Sequence, residues 1–149
     1  MTTRSGALLV ALAFVLSGCS SGGSSPTPGG SSVVLQELTR AGFRIRGAVA
    51  GDAGCDDASL ANNATHLRLS LGADEQERDL YLFIFRVRDF AGEGALVDDC
   101  RAAAERAANG VFDLIDVPPY RAFGGAWTPA WREALTRALT SAASGGASR

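Results

Sequence analysis

Lysine is absent from this chain of 149 residues, and histidine occurs once, at position 66. All fourteen basic residues are therefore arginine, set against sixteen Asp and Glu. A mildly acidic balance excludes the strong positive field of a nucleic-acid binder, so no nucleic acid is expected among the partners. Arginine without lysine, alongside abundant Ala and Gly, reads as the codon bias of a GC-rich genome before it reads as function. With one histidine, any Ser-His-Asp or Cys-His chemistry must run through His66, and no serine of the folded part stands in a G-x-S-x-G elbow. Cys55, Cys100 and His66, at wide spacing, form no zinc pattern, and no metal or cofactor is expected. Long hydrophobic runs are missing too. The apolar stretch 7–16 is about half of the roughly 20 residues a bilayer span needs.

What the N-terminus does contain is an address. Arg4 precedes the apolar stretch 7–16, and Leu16-Ser17-Gly18-Cys19 closes it, so residues 1–18 read as a cleavable export signal. The four residues Leu16-Ser17-Gly18-Cys19 resemble the lipobox of bacterial lipoprotein precursors. That resemblance implies diacylglycerol on the Cys19 sulfur and cleavage that leaves Cys19 as the first residue. The implied partner is then a membrane, reached through the lipid, and the implied location is extracytoplasmic, at the cell membrane or outer membrane. Each buried acyl methylene contributes about 0.8 kcal/mol to such an anchor. Ser20 follows where an Asp tends to retain lipoproteins at the inner membrane of Gram-negative cells. The resemblance spans about the first 20 residues and says nothing of the domain behind them.

Residues 20–32 hold only Ser, Gly, Pro and Thr. Such a segment buries no apolar surface, so 19–32 is expected to be a lipidated cysteine on a disordered tether. Flexible coil of this length reaches roughly 20 Å. Residues 144–149 read as a frayed tail. What remains, 33–143, is one domain with one core. Its two cysteines, Cys55 and Cys100, form an even pair that oxidises outside the cytoplasm. The chain-entropy model gives roughly 4 kcal/mol for a loop of that length.

Hydrophobic periodicity predicts a helix over 33–42, with Val34, Leu35, Leu38 and Ala41 on one face and Gly42 as its stop. Residues 43–49 and 65–71 alternate as half-buried strands. Residues 80–88 form the most apolar strand, apolar on both faces in its first half as a central strand is. A helix over 95–108 directs Leu96, Cys100, Ala103, Ala104 and Ala107 inward; strands follow at 111–117 and from Tyr120. Thr128 and Pro129 start the last helix as N-cap and first residue. The order predicts an α+β fold, a mostly antiparallel sheet with helices packed on one face.

Three groupings bear on function. Asp52, Asp56 and Asp57 make an acidic loop without the every-second-residue acids of a calcium loop. Tyr120, Phe123, Trp127 and Trp131 concentrate around Gly124-Gly125, where an aromatic core is the expected use. The third is basic. Strand parity sets Arg44 and Arg46 opposite Phe43 and Ile45, Arg68 and His66 opposite Leu67 and Leu69, and Arg86 and Arg88 opposite Phe85 and Val87. A bare sheet face lined by these five arginines would suit a phosphate, a carboxylate-rich fragment or an acidic partner, through bidentate geometry. Together these features suggest a membrane-anchored, non-enzymatic binding or assembly module for an anionic envelope ligand or protein. The alternative is a small envelope hydrolase using His66.

Overall fold

The computed structural model describes residues 30–73, 76–85 and 90–145. The signal, Cys19 and most of the tether fall outside these residues, as do Arg86, Arg88 and the last four residues. Five strands are present: β1 (Phe43–Ala50), β2 (Ala64–Leu71), β3 (Arg78–Ile84), β4 (Phe112–Val117) and β5 (Tyr120–Gly125). They form one antiparallel sheet in the order β1-β2-β3-β5-β4, so β1 and β4 are its edges. The helices are α1 (Ser31–Arg40), α2 (Phe90–Ala108) and α3 (Pro129–Gly145). This is the single α+β domain that the periodicity predicts.

Local chemistry explains the boundaries. Gly42 stops α1 at φ +95°, a conformation that costs glycine little and other residues much. The Thr128 hydroxyl accepts the Trp131 N–H (3.3 Å) at the start of α3, and Pro129 occupies the first helical position. On one sheet face Leu67, Leu69, Leu80, Leu82, Ile115, Tyr120 and Ala122 meet Val34 and Leu38 of α1 and the Trp131–Leu135–Leu139 stripe of α3. Phe43 packs its ring edge-to-face on Trp131, centroids 4.9 Å apart. The aromatic concentration is therefore core, as expected, although Phe123 belongs to the opposite face.

That opposite face corrects one expectation. Only α1 and α3 share a face; α2 lies on the other side of the sheet. The reason lies in β3 and β5, which carry large apolar side chains on both sides. Phe83 and Phe123, with Phe112 and Leu114 beside them, need a cover of their own, and Val97, Cys100 and Ala104 of α2 supply it. Of the predicted inward set Cys100 and Ala104 are buried, but Val97 takes the place expected of Leu96, which is 39% exposed, and Ala107 is exposed. The helix also begins at Phe90, not 95. A disulfide joins Cys55 to Cys100 (Cα–Cα 5.3 Å) and pins the 51–60 loop, with buried Ala53 and Leu60, against α2.

The second cover is partial. It reaches Ala64 at the start of β2 and Tyr81 of β3, and no residue of β1 belongs to it. Within β1 the register against β2 shifts between Ile45 and Gly47, a bulge at Arg46. Before it Phe43 and Ile45 face α1 and α3; after it the parity inverts, and Ala48 stands opposite buried Leu67 while Val49 stands opposite His66. Simple alternation would bury Val49, which is instead 55% exposed.

Candidate functional site

The uncovered corner of the α2 face is built from the first half of β1 and the second half of β2. Arg44 is paired with Ser70 and Gly47 with Arg68, and cross-strand partners share a face. Arg46, the bulged residue, donates from Nε to the Ser70 hydroxyl at 3.4 Å, which puts it on this face as well. Gly47 is what lets Arg68 lie flat: a Cβ there would stand 3.0 Å from Arg68 Nη2. Arg44, Arg46 and Arg68 are thus gathered on one exposed surface. Arg86 and Arg88, the other two arginines expected on it, lie outside the described residues. The surface is not the wholly bare face of the sequence reading, because α2 and the 51–60 loop occupy its other half.

Few carboxylates meet these guanidinium groups. Arg68 Nη1 lies 3.5 Å from Glu77, an exposed pair of the kind worth under about 1 kcal/mol. Among the described residues neither Arg44 nor Arg46 has an acidic partner. Most other described arginines are paired, Arg121 with Asp116 (3.1 Å) and Asp98 (3.6 Å), Arg101 with Glu105 (2.7 Å), and Arg132 with Asp113, while Arg106 of α2 stands alone among the described residues. The contrast makes the corner electrostatically distinct within a chain whose net charge is negative.

His66 borders the corner but is differently engaged. Its Nδ1 lies 2.9 Å from Asp52 and its Nε2 2.8 Å from Asp79, while the ring stacks on Tyr81 at 4.4 Å. Each ring nitrogen thus has a carboxylate oxygen within hydrogen-bond distance, and neither is left free. A general base needs a free ring nitrogen within reach of the proton it takes. Here both nitrogens are taken and the side chain is 17% exposed, an arrangement suited to clamping the 51–60 loop onto β2 and β3. Burial, with the Asp79 and Asp52 carboxylates adding to it, pushes the Tyr81 phenol above its ordinary value.

The acidic loop is likewise spoken for. Asp52 Oδ1 accepts the Gly54 N–H (2.9 Å), and Asp57 accepts both the N–H and the hydroxyl of Ser59 (2.9 and 2.6 Å). These bonds hold the Asp57 carboxyl below its usual value. Among the described residues no group of three or more His, Cys, Asp or Glu side chains is placed to hold a metal ion. Sequence reasoning missed the bulge and therefore Gly47; a glycine inside a strand pattern is the signal that marks both. Comparison with protein-family models, with curated proteins and with solved structures finds no match to this chain.

Proposed function

We propose that this protein is a lipid-anchored, extracytoplasmic binding module that engages an anionic partner through Arg44, Arg46 and Arg68. One observation carries the reading: three guanidinium groups share an exposed surface whose nearby carboxylates are engaged, Asp79 with His66 and Glu77 with Arg68 at 3.5 Å, while among the described residues neither Arg44 nor Arg46 has an acidic partner. Arginine left without an acid of its own keeps its bidentate donors for a carboxylate or phosphate from outside. The anchor is the lipid expected on Cys19, and the tether lets the domain stand off from the bilayer. A hydrolase centred on His66 finds no support in the clamped geometry of that side chain.

Two measurements test this. Intact mass of membrane-extracted protein should show an acylated Cys19 as the first residue; an unmodified N-terminus elsewhere would remove the anchor. Detergent-solubilised full-length protein should be retained on immobilised polyglutamate at low salt and released as salt rises, since exposed charge pairs are screened. Arg44→Gln with Arg46→Gln should abolish retention while the melting temperature holds. Retention unchanged in that variant would overturn the reading.

A further inference from the structure

We propose that the anionic partner is an extended acidic polypeptide segment that adds to the open edge of β1 as a sixth strand. The inference rests on the anion-binding reading above and names its partner. Two backbone bonds close the β1–β2 ladder at its ends, Gly72 N–H to Gly42 C=O (3.1 Å) and Gly51 N–H to Ala64 C=O (3.0 Å). Alternation of bonded and non-bonded pairs then turns the N–H and C=O of Phe43, Ile45, Ala48 and Ala50 outward, away from β2. Among the described residues nothing from another element bonds to these groups. An edge of this kind is a template for strand addition, where main-chain bonds supply affinity and alternate side chains supply specificity.

The side chains along the edge specify the guest. Arg44 and Arg46 line one side of it, and Ile45, 37% exposed, lies on the other with Ala48. A guest strand that alternates acidic and small apolar residues matches both sides at once: its acids meet the arginines and its apolar residues extend the α1/α3 face. Charge also rejects competing guests. A second copy pairing through β1 would set Arg44 and Arg46 against themselves, and like charges across strands destabilise a pair. A second copy offering β4 would offer aspartates already bonded to Arg132 and Arg121. The bulge and the one-signed charge, devices that blunt edges against aggregation, thereby act as a filter for acidic strands.

A protein guest also fits better than the membrane itself. Gly30 and Ser31 line one shallow cavity with Ala50 and Gly51, so the chain leading back to Cys19 joins the domain beside the C-terminal end of β1. Arg44 stands at the other end of that strand, about 20 Å away at the usual rise per residue.

The test is fluorescence anisotropy on full-length, detergent-solubilised protein with a labelled eight-residue peptide alternating Glu and Val. Binding is expected, weakened at least tenfold by N-methylation of the peptide amides along one edge and at least tenfold by Arg44→Gln with Arg46→Gln. Equal binding of the N-methylated peptide, or full displacement by inorganic tripolyphosphate, would overturn strand addition while leaving the anion-binding reading intact. If neither peptide nor tripolyphosphate binds, both fall. A β1-mediated dimer in sedimentation would overturn the proposal in favour of a second copy. Protection of Arg44 and Arg46 from phenylglyoxal in phosphatidylglycerol vesicles, without peptide binding, would overturn it in favour of the bilayer.

Discussion

The two edges of the sheet are finished in opposite ways. At β4 both neighbouring helices reach over to the strand: the Glu105 carboxylate of α2 accepts the Phe112 N–H (2.9 Å), and Arg132 of α3 donates to the Leu114 carbonyl (2.9 Å) while pairing with Asp113. At β1 no helix side chain among the described residues does either, and the arginines stand where caps would be. Buried backbone groups demand partners, whereas a solvated edge can wait for one. The β4 end thus reads as sealed structure, and the β1 end as surface held ready.

Among the contacts that seal structure, the largest loss is expected where a covalent restraint on the α2 cover is removed. Cys55→Ser with Cys100→Ser should lower stability by about 2–5 kcal/mol in chemical denaturation, because it frees the 51–60 loop from α2. His66→Phe keeps a ring on Tyr81 but removes both carboxylate bonds. It should cost about 1–2 kcal/mol and open the 51–60 loop to limited proteolysis. Arg132→Ala uncaps the Leu114 carbonyl and frees Asp113. Roughly 1 kcal/mol of stability should go, and concentration-dependent association through β4 should appear in sedimentation. Smallest of all, Arg44→Gln with Arg46→Gln should stay within about 0.5 kcal/mol of the parent, because the one side-chain bond at stake is the long 3.4 Å contact of Arg46 with Ser70. A large destabilisation there would make the arginines structural and erase the difference between the edges.

Much of this architecture is legible in the residues. Period-two alternation locates β1 and β2, Thr128-Pro129 locates α3, and the even cysteine pair foretells the disulfide. The side of the sheet that α2 covers was not legible from helix periodicity alone, since Leu96 and Val97 are equally apolar. Yet Tyr81-Leu82-Phe83-Ile84 is apolar on both sides, and a strand apolar on both sides demands cover on both. The arginine corner was half legible. Parity groups Arg44, Arg46 and Arg68, but the bulge that seats Arg68 over Gly47 and exposes Val49 depends on long-range register, which local pattern does not carry. The caps on β4 were invisible for a similar reason. Glu105 and Arg132 read as ordinary helix-surface charges until the strand order brings β4 beside them.

Native-state amide hydrogen exchange on the full-length protein, with and without the alternating Glu/Val peptide, compares the edges most directly. The expected result is fast exchange at Ile45 and Ala48 without peptide, strong protection at Phe112 throughout, and slowing at Ile45 and Ala48 alone once peptide is added. Ile45 as protected as Phe112 in the unliganded protein, or peptide slowing exchange equally at both edges, would contradict an open β1 edge that selects acidic strands.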